Sequence, residues 1–92
     1  MKTLTREVFK LAEQIFQKQE ILSVNFDYKR ECIKIEEPGE FPTVIFEIYP
    51  FLGELRIYNS GYFEPLGQFI QEHKEKYGKD KIRAFYFGKP DN

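Results

Sequence analysis

The chain predicts an α+β fold: a two-layer sandwich of order αββββαβ, with a mostly antiparallel five-stranded sheet and two helices on one of its faces. Three observations lead there. Apolar residues recur at helical spacing near the start and again after residue 65. Between these segments, four short runs alternate apolar and polar positions, as half-buried strands do. A last apolar run follows the second helix, so that helix acts as a crossover and the final strand should run parallel to a neighbour.

In the first helix, Leu4, Val8, Leu11, Ala12, Ile15 and Phe16 make one face, with Lys10, Glu13, Gln14, Gln17 and Lys18 opposite. Thr3 or Thr5 is expected to supply the N-cap oxygen. The first strand lies in ILSVNFDY, where Val24, Phe26 and Tyr28 alternate with Ser23, Asn25 and Asp27. CIKIEE is the second, joined to the first through Lys29, Arg30 and Glu31 as a hairpin. A loop, EEPGEFP, follows, in which Pro38-Gly39 fits the centre of a type II turn and Pro42 delays pairing.

TVIFEIY and ELRIY are the third and fourth strands, with Pro50 and Gly53 supplying the turn between them. Leu66, Phe69, Ile70, His73 and Tyr77 share a face of the second helix; Pro65 suits its first turn and Gly78 the left-handed position after its last. KIRAFYFGK is the fifth strand, expected inside the sheet between neighbours, and residues 89–92 are expected to fray.

Ninety-two residues read as one domain, 1–92, with a modest core. Aromatics reach 17% without any Trp, so Phe and Tyr must carry much of that core. A single Cys32 cannot form an internal disulfide, and one Cys with one His assembles no zinc site, which points to a reducing, cytoplasmic setting and to no cofactor. No apolar run approaches the ~20 residues a membrane span needs, so no membrane partner is expected. Fourteen Lys and Arg against fifteen Asp and Glu build no long-range attraction to phosphate backbones.

The catalytic inventory is thin. Phosphate-binding glycine loops, nucleophile elbows and metalloprotease or calcium-loop motifs are missing. His73 falls on the sheet-facing side of its helix, as a core-edge residue would, and Cys32 has no neighbour in sequence that lowers a thiol pKa. Glu36, Glu37 and Glu40 surround the Pro38-Gly39 turn; they read as a solvated loop or as an acidic lobe for a basic partner rather than an acid–base pair. Lys74, Lys76, Lys79, Lys81 and Arg83 complement a helix C-terminus.

Alternation assigns Val24, Phe26, Ile33, Ile35, Val44, Phe46, Ile48, Leu55 and Ile57 to the helix side. It leaves Lys34, Ile45, Glu47, Tyr49, Arg56 and Tyr58 on an open face. With Phe85 and Phe87 inward, Tyr86 joins them. Tyr and Arg are enriched at interface hot spots, so Ile45, Tyr49, Arg56, Tyr58 and Tyr86 are the candidate binding residues. The expected function is a small intracellular, non-enzymatic module that binds a protein, of inhibitor, immunity or adaptor type. If Phe85 and Phe87 face outward, the exposed apolar area would call for a partner or a homodimer to cover it. Aromatics beside Arg also suit base stacking, making nucleic acid the alternative partner, although KIRAFYFGK lacks the K/R-G-F/Y-G/A-F pattern of RNA-recognition sheets. A small-ligand protein or enzyme using Cys32, His73 or the Glu36 loop ranks third.

Overall fold

Helix α1 (Thr3–Phe16) precedes a run of four antiparallel strands, β1 (Ser23–Asp27), β2 (Cys32–Glu37), β3 (Thr43–Tyr49) and β4 (Glu54–Ile57). Helix α2 (Phe63–Tyr77) follows, and β5 (Ala84–Phe87) lies parallel to β4. This computed structural model describes residues 3–18, 22–58, 63–78, 82 and 84–87.

The helices form because each has one apolar stripe to bury. Val8, Leu11, Ala12, Ile15 and Phe16 of α1 are buried, as are Leu66 and Phe69 of α2. Phe16 joins three elements: its ring centroid lies 5.5 Å from that of Phe46 in β3 and 5.6 Å from that of Phe69 in α2. Truncating such a fully buried Phe to Ala typically costs about 3–5 kcal/mol. Helix α2 ends as its sequence indicates, with Gly78 at φ 86° donating its backbone N–H to the Lys74 carbonyl at 3.0 Å.

Strand register puts Val24 opposite Ile35, Phe26 opposite Ile33, Ile33 opposite Ile48, Ile35 opposite Phe46, and Phe46 opposite Ile57. These residues share the face that meets Phe16 and α2. A bulge between Ile35 and Glu36 shifts the β2–β3 pairing beyond that point.

Three local expectations are corrected. Thr5 is not the N-cap; it lies inside α1, buried, with its hydroxyl unpartnered. Gly39 is not left-handed, so Pro38-Gly39 is not a type II turn; among the described residues the left-handed positions fall at Gly53 (φ 68°), Gly78 and Glu31 (φ 53°). Glu31 tolerates that conformation because Asp27 Oδ1 accepts the N–H groups of Lys29 and Arg30, which tightens the hairpin around it. Finally, β5 is not interior. Among the described residues it pairs with β4 alone, because the meander has already filled every other interior edge. The fraying expected of residues 89–92 lies outside the described residues.

Candidate functional site

Tyr49, Arg56 and Tyr58, three of the residues singled out for binding, lie on the sheet face turned away from Phe46, and that face is far less open than alternation implies. Cys32, Glu47 and Tyr49 are all buried there, Glu47 at 2% exposure, and Ile45 is buried at 0%. Long side chains of the same face reach Glu47 and Tyr49, whereas Ile45, beside the bulge, belongs to the main hydrophobic core. Tyr58 pairs beside Ile45, donating its backbone N–H to the Ile45 carbonyl, and its hydroxyl donates to Glu47 Oε1. The Tyr58 side chain therefore runs along the face from the level of Ile45 to that of Glu47.

Glu47 organises the centre. Besides Tyr58, it accepts a hydrogen bond from Arg30 Nη1 at 3.2 Å on Oε2. Arg30 comes from the β1–β2 hairpin and keeps more than half of its side chain exposed. Opposite-charge pairing and two charge-assisted hydrogen bonds satisfy a carboxylate that would otherwise be costly to bury. Arg56 covers the next position: its guanidinium carbon sits 4.4 Å from the Tyr49 ring centroid, Nη1 donates to Tyr49 Oη at 3.4 Å, and Nη2 donates to Glu54 Oε2 at 3.2 Å. At the β1 side, Lys34 Nζ lies 3.2 Å from Asp27 Oδ2.

These contacts set the protonation states. Burial pushes the Tyr49 hydroxyl well above its ordinary range, and burial together with the Glu47 hydrogen bond pushes Tyr58 up to about 12. Burial likewise raises the Cys32 thiol to about 11. Neither phenol nor thiol ionises near neutrality, so none of the three supplies a base or an activated nucleophile. His73 is remote from this face, buried in α2 with its ring 5.7 Å from Phe69 and 4.9 Å from Tyr77, and burial lowers it to about 4.

Among the sequence candidates, Tyr49, Arg56 and Tyr58 come together, but only Arg56 and Tyr58 keep part of their surface. Ile45 is wholly covered. Tyr86 pairs with Arg56 in backbone register, while its side chain lies outside the described residues. Glu36 is tied to Asn25 Nδ2 at 2.8 Å and Glu40 is exposed. Among the described residues no three His, Cys, Asp or Glu side chains converge as a metal-binding group. Lys74 and Lys76 are exposed; Lys79, Lys81 and Arg83 lie outside the described residues.

Two participants were missed from sequence. Glu47 carried a signal, a lone carboxylate inside the apolar run TVIFEIY. Arg30 carried none, because a loop cation seventeen positions away names no partner. No helix among the described residues is long and apolar enough to cross a membrane. No protein family, curated protein or solved structure matches the chain.

Proposed function

We propose that the protein is a small, non-enzymatic, intracellular binding module that acts by protein–protein contact through the sheet face carrying Arg30, Arg56 and Tyr58. In this reading the whole chain is one αββββαβ sandwich, with both helices on one side of a five-stranded sheet and the contact surface on the other. The observation that carries it is the preorganised layer on that face. Two guanidinium groups and a tyrosine are held in place by Glu47, Glu54 and Tyr49, yet each keeps part of its surface available. Side chains already ordered in the free protein lose less entropy on binding, and Arg and Tyr are the types that dominate hot spots. Tyr49 contributes as the floor beneath Arg56 rather than by direct touch, and Ile45 contributes only through the core it joins.

The charge pattern favours a protein over nucleic acid. Arg30, Lys34 and Arg56 are each paired with a carboxylate of the same face, so a phosphate backbone would meet Asp27, Glu47 and Glu54 as closely as the cations.

The test is capture by a tagged copy, with and without nuclease, beside an Arg56→Ala/Tyr58→Phe variant whose unfolding midpoint is measured in parallel. Loss of a nuclease-insensitive partner with the variant still folded supports the reading. A partner retained equally by the variant, or released by nuclease, overturns it.

A further inference from the structure

We propose that the cleft between α1 and α2 is a binding site for a small organic monoanion, an apolar body carrying a single carboxylate. The cleft lies in the helical layer, away from Arg56 and Tyr58, so this site does not depend on the contact surface proposed for the sheet.

Helical spacing builds it. Glu7, Lys10, Leu11 and Gln14 are three or four positions apart along α1 and therefore share one side of that helix. Facing them are Lys76 and Tyr77 from the last turn of α2. The two helices run antiparallel, since Phe16 at the end of α1 meets Phe69 nearer the start of α2, while the first half of α1 faces Tyr77. At the Phe16 level apolar rings close the joint, with 5.6 Å between centroids. Toward Tyr77 the facing residues are long exposed polar chains instead, and a cleft of about 460 Å³ remains between the helices. Small-molecule sites occupy roughly 300–1,000 Å³ and recur between packed helices.

The lining has the two halves that an organic anion requires. Buried Leu11 supplies an apolar floor and the half-buried Tyr77 ring an apolar wall. Lys10 and Lys76 bring one ammonium group from each helix, and neither forms an ion pair or hydrogen bond among the described residues; Gln14 is free in the same sense. On the sheet face, by contrast, Arg30, Lys34 and Arg56 are each already paired with a carboxylate. Burial first, and the Glu7 carboxylate second, push the Tyr77 hydroxyl above its ordinary range, so it stays a neutral donor for a carboxylate oxygen. Glu7 limits the charge: two ammonium groups against one carboxylate leave a single positive charge, which a monocarboxylate matches and a phosphate monoester exceeds. Because both lysines are solvent-exposed, screening keeps the attraction weak, and dissociation at about 0.1–1 mM is expected.

The experiment is a backbone-amide NMR titration of the full chain with phenylacetate, indole-3-acetate and octanoate. Phenethylamine and phenethyl alcohol serve as cationic and neutral counterparts, and inorganic phosphate as a bare anion. The expected result is saturable shifts grouped on residues 7–14 and 76–77 with at least one of the three carboxylates, and at least tenfold weaker binding of the amine, the alcohol and phosphate. Lys10→Gln/Lys76→Gln should weaken the carboxylate at least tenfold, whereas Lys18→Gln/Lys29→Gln, which removes the same charge elsewhere, should leave it unchanged; all four lysines are exposed, so the fold is retained. No saturable shift with any of the three carboxylates overturns the proposal, as does equal binding by Lys10→Gln/Lys76→Gln. Phenethylamine bound as tightly would make Glu7 the recognising group, and phosphate bound as tightly would mean an adventitious ion only; either result overturns it.

Discussion

Lowering the pH should destabilise this protein through His73. The imidazole is 2% exposed, wedged between Phe69 and Tyr77, and burial holds its pKa at about 4 against 6.5 for the free side chain. The folded pKa is depressed, so the unfolded chain binds this proton more readily. The associated stability is fully present above about pH 6.5 and is lost as pH falls toward about 4. A difference of about 2.5 pKa units corresponds to ~3 kcal/mol in total, of which ~2.5 kcal/mol is lost between about pH 7.5 and about pH 4.5. That is a large share of the stability of a domain this size.

Asp27 responds in the same direction. Burial pushes its carboxyl up, but the Arg30 N–H and the Lys34 ammonium outweigh this and hold it below its ordinary value, so its contribution also fades as pH falls. A single acid titration therefore cannot isolate the histidine. Urea unfolding of the wild type and of His73→Leu at both pH values can, because the carboxylates are common to the two. The stability difference between them should shift by ~2.5 kcal/mol toward the variant at the lower pH, roughly 1–2 M in urea midpoint. Parallel losses would show that the folded protein accommodates the imidazolium and would refute the burial argument.

Other outcomes follow from individual groups. Glu47→Ala should cost about 1–2 kcal/mol rather than the ~3–5 kcal/mol of a fully buried pair, since Arg30 is more than half exposed and rehydrates; Glu47→Gln, which keeps an acceptor for Tyr58, should cost less, and equal losses by denaturant titration would contradict the hydrogen-bond account. Thr5→Val should raise stability by about 1 kcal/mol, as it removes a buried hydroxyl without a partner at little change of shape; a clear loss in thermal unfolding would mean that the hydroxyl is bonded. Cys32, fully buried and raised to about 11, should react with an aromatic disulfide reagent at least a hundredfold slower in the native protein than in urea; comparable rates would contradict its burial.

Much of the local structure was legible in the residue pattern because local periodicity alone dictates it. Leu4 to Phe16 can bury their stripe only as a helix, and Gly78 occupies the left-handed position that ends α2. The same alternation correctly separated Ile33, Phe46, Ile48 and Leu55 from Lys34, Glu47 and Arg56 across the two faces. Alternation says which way a side chain points, however, and nothing about what lies over it. Glu47 and Tyr49 point away from the helices yet are buried, in part because Tyr58 reaches Glu47, Arg56 lies over Tyr49, and Arg30 arrives from a distant hairpin. Those contacts depend on strand register and on long side chains folding back, both non-local. The sequence by itself determined the two helices, the four antiparallel strands and the separation of Ile33, Phe46, Ile48 and Leu55 from Lys34, Glu47 and Arg56; only tertiary packing decided that one face is a paired layer of Arg, Tyr and carboxylate, because covering a strand takes residues that its own periodicity does not contain.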